Sequence, residues 1–228
     1  MARFTIRDFH AKRRWLSLPE VFMYSSNIGA ARMAMDIGGE TQRDYLDRLG
    51  LLEPSPLEIP EVGRPLVPSP WRPVNTMTIG FGHGLAVSPL QLAAGVATVV
   101  NGGVRHEPTL VQKPYRARDE GRSERVFQES TSLRLRQLMR LVVSDGTGRN
   151  GDVAGYPVGG KTGTAEKPGA SGYRGRALLS SFVGAFPIDD PRYVCVSCEQ
   201  LDYTPINVEA IFRTRSTQQA DTSPLSGP

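Results

Sequence analysis

Apolar residues recur at helical spacing through most of this chain and at strand spacing towards its end. Ser17-Leu18-Pro19-Glu20 has the form of a capping box with proline in the first turn, so a short helix is predicted through Val21, Phe22 and Met23. Ser25-Ser26-Asn27 interrupts it, and 28–37, rich in Ala and Met, predicts a second helix closed by Gly38-Gly39. The triplet therefore falls on a tight connection between two helices, where side chains can project into a cleft. A third helix over 40–49 stops at Gly50. Seven prolines over 53–73 exclude a helix or an inner strand and predict a stiff surface excursion, pinned at its end by Trp71.

Three glycines over 77–85 predict a turn-rich approach to the next helix. Ser88-Pro89-Leu90-Gln91 is a second capping box, and 92–100 is apolar nearly all round, which predicts a buried helix central to an α-rich lobe. An extended crossing over 104–115 and a charged loop over 120–125 follow. Leu135, Leu138, Met139 and Val142 stand at helical spacing and predict an amphipathic helix over 131–143. The Gly146, Gly148 and Gly151 region reads as a mobile connection. Strands are predicted over 156–166, 178–186 and 193–198, the first two joined through a hairpin loop over 167–176. This order of elements is that of an α+β domain. Residues 1–150 form its mainly helical part and 151–203 its sheet, and the polar stretch 204–228 is expected to be disordered.

With 228 residues, 39% of them hydrophobic, the chain can bury a real core. The net charge of +4 comes mostly from arginine and reads as a solvated face. No aromatic-interleaved basic motif accompanies it, so no nucleic-acid partner is expected. Positions 74–104 hold no Asp, Glu, Lys or Arg, yet Asn75, Gly80, Pro89 and Gln91 break them up, so no membrane-length apolar run exists. Cys195 and Cys198 lie three apart in a predicted strand and so face opposite sides, about 10 Å from one another, too far for a disulfide; they read as buried thiols. His10, His83 and His106 are isolated, and neither a metal nor a cofactor is expected.

Candidate chemistry concentrates in Val158-Gly159-Gly160-Lys161-Thr162-Gly163-Thr164-Ala165-Glu166. It reads as an edge strand able to hold an extended peptide by adding it to the sheet. Lys161 supplies a cation for an acidic end of a ligand and Thr162 and Thr164 supply hydroxyls. The glycines remove Cβ atoms where another backbone approaches, and the Thr164 N–H can face a developing oxyanion. A Lys-Thr-Gly triplet also occurs in ordinary surface hairpins, and a Ser-x-Asn triplet in ordinary helix caps, so neither decides alone.

With both triplets in order, and with Gly82-His83-Gly84-Leu85-Ala86-Val87-Ser88-Pro89-Leu90-Gln91 between them, the chain resembles the transpeptidase domain of the penicillin-binding proteins, class B cell-division (FtsI-like) type, over roughly 6–194. The resemblance implies the penicillin-recognising serine transferase fold, an antiparallel sheet with an α-rich subdomain, here incomplete. It also implies acyl transfer through a serine acyl-enzyme. On this resemblance Ser25 passes a proton, Asn27 holds a substrate amide and Lys161 reinforces both electrostatically. Thr162, Gly163 and Thr164 bind the terminal carboxylate of a D-Ala-D-Ala stem peptide of peptidoglycan or a β-lactam. Implied partners are divisome membrane proteins, and the implied location is the periplasmic face of the inner membrane.

Two departures stand out. The four lysines are preceded three positions earlier by Phe9, Leu110, Val158 and Thr164, so the family's Ser-x-x-Lys nucleophile motif cannot be written in this chain. That motif is expected N-terminal to Met1, and the chain alone is expected to be inactive. After Val196 the family's glycine-rich loop and long helix are missing, which suggests a truncated or frame-shifted end. A serine β-lactamase or β-lactam sensor shares the same motif logic, and a noncatalytic interaction module is the alternative from another class. The excursion over 53–73 and the peptide-sized edge strand favour transpeptidation over hydrolysis.

Overall fold

Residues 5–112, 123–166 and 177–202, which the computed structural model describes, form six α-helices and five strands. The first three helices are α1 (Leu18–Met23), α2 (Asn27–Ile37) and α3 (Gly39–Arg48). The first capping box forms as expected: Ser17 donates its N–H (2.9 Å) and its hydroxyl (3.0 Å) to the Glu20 carboxylate. Arg14 and Ser17 together hold that carboxyl down at about 2.

Helix α4 (Pro73–Gly80) takes the first part of the stretch 77–85, expected to be turn-rich, and the expected turns follow it over 81–84. Pro73 opens it, and Asn75 Oδ1 accepts the Arg72 N–H (2.9 Å). Gly80 is a contact residue and not a breaker. A Cβ there would lie 2.7 Å from Ala34 Cβ and 3.0 Å from the Ala30 carbonyl, so its absence lets α4 lie close on α2. Trp71 closes the proline-rich excursion by donating its indole N–H to Thr76 Oγ1 (3.1 Å).

Helix α5 (Pro89–Val100) carries the second capping box: Ser88 and Gln91 exchange bonds of 3.1 and 3.2 Å. Gln91 is fully buried and also donates to the Glu53 carbonyl (2.8 Å), which ties the turn after α3 to α5. The helix is not buried all round. Gln91, Gly95, Thr98 and Val100 form its inner face, and Leu90 is exposed. The expected charged loop over 120–125 is in part a strand, β2 (Ser123–Arg125), paired antiparallel with β1 (Val104–His106). Its side chains are exposed, so backbone pairing and the Arg48 guanidinium hold it; Arg48 bonds Glu124 (3.1 Å) and the Arg125 and Val126 carbonyls (2.8 Å each).

Helix α6 (Glu129–Ser144) buries Ser132, Met139, Val142 and Val143 and packs on the main sheet. The glycine-rich stretch behind it, expected to be mobile, is a packed turn. The Thr147 N–H bonds the Met23 carbonyl (3.3 Å), the Gly148 N–H bonds the Val142 carbonyl (3.0 Å), and a 3-10 turn over Arg149–Gly151 follows. Strands β3 (Gly159–Glu166), β4 (Ala177–Phe186) and β5 (Tyr193–Asp202) form an antiparallel sheet in that order. The expected hairpin loop over 167–176 and the tail 204–228 lie outside the described residues. Cys195 is half-buried and Cys198 exposed, not buried as expected, because strand alternation turns one of them to each side of β5.

The architecture is thus α+β, with its core between the sheet, α5 and α6. One cluster joins Val100, Met139, Ala185 and Ile188, and a second joins Val143, Val158 and Phe182. Among the described residues no helix is long and apolar enough to cross a membrane. Met139 is 3% exposed at the centre of the first cluster, so Met139→Ala should destabilise the chain by about 2–5 kcal/mol. Leu133→Ala, on the exposed face of the same helix, should stay within about 0.5 kcal/mol. Urea midpoints of the two variants check both.

Candidate active site

Between α1 and α2 the chain reverses over Tyr24-Ser25-Ser26. Ser25 takes a left-handed conformation (φ 55°), unusual for a residue with a Cβ and costing about 1–2 kcal/mol. Backbone bonds hold this turn from the α1 side, with Ser25 N–H to the Phe22 carbonyl (3.3 Å) and Ser26 N–H to the Val21 carbonyl (3.0 Å). From the α2 side, Ser26 is the N-cap, buried, accepting the Gly29 N–H at 3.0 Å. The hinge points the Ser25 hydroxyl at the sheet.

The sheet answers with Lys161. Its Nζ donates to Ser25 Oγ at 2.7 Å across 136 positions of sequence, and to the Thr162 carbonyl at 3.0 Å. The ammonium also stands 5.9 Å from the centre of the Phe22 ring. Burial pushes Lys161 down from 10.5 to about 8, and among the described residues no carboxylate offsets it. A depressed lysine costs the folded state in its charged form, on the order of 3 kcal/mol here. Stability should therefore rise with pH between about 8 and 10.5, where the unfolded chain binds the extra proton, and level off above that window.

Thr162 meets Thr147, their hydroxyls 2.7 Å apart. Because the Thr147 N–H is anchored on the Met23 carbonyl, α1, the turn after α6 and β3 close a continuous polar ring around Lys161. Gly163 and Thr164 continue along the exposed margin of β3, which among the described residues pairs on one side only, with β4. Asn27 opens α2, and its Nδ2 donates to the Arg7 carbonyl (2.9 Å), which uses one of its two N–H donors.

Lys161, Ser25 and Thr162 thus lie together in the structure. Thr147 was not singled out in the sequence, and its one signal is a threonine between two glycines behind an amphipathic helix. Gly159 and Gly160 make room for the protein's own core and for the neighbouring strand. A Cβ on Gly160 would lie 2.4 Å from Phe182 Cζ and 2.6 Å from the Val183 carbonyl, and one on Gly159 2.4 Å from Ile188 Cγ1. Those two positions are bare because the core presses against them from within the protein.

The chain belongs to the penicillin-binding-protein transpeptidase family: the family model described as penicillin binding protein transpeptidase domain matches residues 1–213. It is 42% identical over 192 residues to a probable peptidoglycan D,D-transpeptidase FtsI of Caulobacter vibrioides, covering 82% of this chain and 32% of that protein. It is 33% identical over 185 residues to stage V sporulation protein D of Bacillus subtilis, covering 77% and 29%. The chain therefore spans about a third of the length of these curated relatives. Among solved structures it is similar to the apo transpeptidase domain of penicillin-binding protein 3 from Burkholderia pseudomallei, with TM-score 0.79 and 29% identity over 93% of this chain and 67% of that one. It is also similar to penicillin-binding protein 3 of Mycobacterium tuberculosis complexed with ampicillin, with TM-score 0.75 and 27% identity over 93% and 53%.

Followed by NMR of its terminal CH2 and amine, Lys161 should titrate near 8; a midpoint at the ordinary 10.5 would show that its surroundings do not desolvate it.

Proposed function

We propose that this chain supplies the proton-relay and ligand-carboxylate side of a peptidoglycan D,D-transpeptidase site, of the kind that cross-links stem peptides in septal wall synthesis through a serine acyl-enzyme. The observation that carries this reading is the 2.7 Å bond from Lys161 to Ser25, made by two motifs far apart in sequence. A lysine titrating near 8 can serve Ser25 in both protonation states: as an ammonium it donates to the hydroxyl, and as an amine it accepts the hydroxyl proton. Ser25 is thereby equipped to pass a proton to a departing amine. Asn27 keeps an N–H and its side-chain oxygen for an amide of the substrate.

Thr162, Gly163 and Thr164 lie along the sheet margin, where an extended peptide or a β-lactam adds as a further strand, its terminal carboxylate near the Lys161 charge. The Thr164 N–H takes the oxyanion. Residues 1–203 act together as one partial domain, and the reactive serine and its lysine come from outside this sequence, which has no Ser-x-x-Lys. In that setting the whole protein works at the periplasmic face of the inner membrane with divisome partners.

Fluorescent penicillin tests the reading in two arms. The chain by itself should form no covalent adduct stable to denaturing electrophoresis. A chimera in which residues 5–202 replace the matching third of the Caulobacter relative should be labelled, and Lys161→Ala should slow that labelling by about 10²-fold or more. Undiminished labelling of the Lys161→Ala chimera, or an adduct on the lone chain, contradicts the assignment.

A further inference from the structure

The segment before α1 contacts the Ser25-Ser26-Asn27 hinge through Arg7 and Asp8, although neither belongs to any motif of the sequence. Both Asp8 carboxylate oxygens lie 3.0 Å from Ser26 Oγ, and Oδ1 accepts the Ile28 N–H at 3.0 Å. One residue upstream, the Arg7 carbonyl accepts from Asn27 Nδ2 at 2.9 Å. Three consecutive residues of the hinge side, 26 to 28, are therefore bonded to two consecutive residues of one strap.

Hydroxyl chemistry gives these bonds a direction. Ser26 has one proton to donate and lone pairs to accept with. Its role as N-cap needs a lone pair on the Gly29 N–H, and Asp8, which accepts only, draws the proton the other way and fixes the rotor. The Ile28 N–H is one of the unpaired donors at the start of α2, and Asp8 satisfies it with the charge sign that a helix N-terminus favours. On its α1 side the turn is held by backbone bonds alone. The left-handed backbone of Ser25 stands between these two sets of bonds.

We propose that Asp8 is a positioning residue of the site: with the Arg7 carbonyl it clamps the α2 side of the hinge, holds Ser25 in its left-handed conformation, and so keeps the Ser25 hydroxyl on Lys161. It touches neither ligand nor reacting atom. The inference rests on the transpeptidase reading for its catalytic meaning, but its structural content can be tested without it.

Asp8→Asn preserves the shape of the side chain and replaces an acceptor oxygen with a donor, against Ser26 or Ile28. In the labelled chimera the substitution should slow acylation by fluorescent penicillin about 10- to 100-fold, the effect of a small displacement at a reacting centre. In the chain by itself, the Lys161 titration midpoint followed by NMR should move from about 8 towards 10.5, because a hinge released from its clamp admits water beside the ammonium. A folded Asp8→Asn chain whose Lys161 midpoint stays near 8 overturns the proposal, whatever the chimera does. Failure of the unsubstituted chimera to label counts against the transpeptidase reading only, and the titration still decides the clamp. Should Asp8→Asn not fold, Ser26→Ala removes the other partner of the same bond and should move the midpoint in the same direction; an unmoved midpoint again overturns the proposal.

Discussion

A lysine ammonium taken out of water, with no carboxylate facing it among the described residues, is the constraint around which this site is arranged. Desolvation of Lys161 opposes folding, and among the described residues two hydrogen-bond partners and the Phe22 ring offset it: the Ser25 hydroxyl, the Thr162 carbonyl and an aromatic quadrupole. Each of these is set by a different element. Ser25 comes from the hinge after α1, Phe22 from α1 itself, and Thr162 from β3 in register with Phe182 of β4. The helices, the turn after α6 and the sheet must all be in place before the cation has any partners, which makes the site a property of the whole fold.

Packing sets how close those elements come. Phe182 and Ile188 fill the space that Cβ atoms at 160 and 159 would occupy, so β3 sits tight on the core just before the lysine. Met139, Val142 and Val143 press α6 against the same sheet, and the turn behind α6 carries Thr147 to Thr162 and to the end of α1. Interiors this dense pass a displacement on instead of absorbing it. The separation of Ser25 from Lys161 is therefore governed partly by residues that carry no chemistry.

What the sequence made legible was whatever is encoded locally. Ser17-Leu18-Pro19-Glu20 and Ser88-Pro89-Leu90-Gln91 each specify a helix start through bonds closed within four residues, and the sequence pattern finds both. Ser25 and Lys161 were legible because each lies in a recognisable triplet. Helix α4 was missed because Gly80 reads as a turn until Ala34 is known to lie against it, and β2 because three exposed polar residues are held by backbone pairing and by Arg48, 76 positions before Glu124. Asp8 and Thr147 act across 18 and 15 positions on partners that local composition does not reveal. Their roles exist only once the chain has folded.

Among the described residues no carboxylate faces Lys161, and this bears on what the site is able to recognise. An acidic side chain beside Lys161 would raise its titration range and stabilise the fold, but it would also neutralise the charge that a ligand carboxylate needs. Left without one, the lysine stays poised near 8, and an anion placed along the β3 margin would draw it back towards the ammonium. Linkage then runs both ways: an anionic ligand favours the protonated lysine, and the protonated lysine favours the anionic ligand. On the proposed reading, binding would supply the charged donor to Ser25, and departure of the carboxylate would return Lys161 to the range where it can accept a proton. On that reading, a site whose lysine meets no carboxylate among the described residues gives up stability and keeps the proton and the ligand coupled.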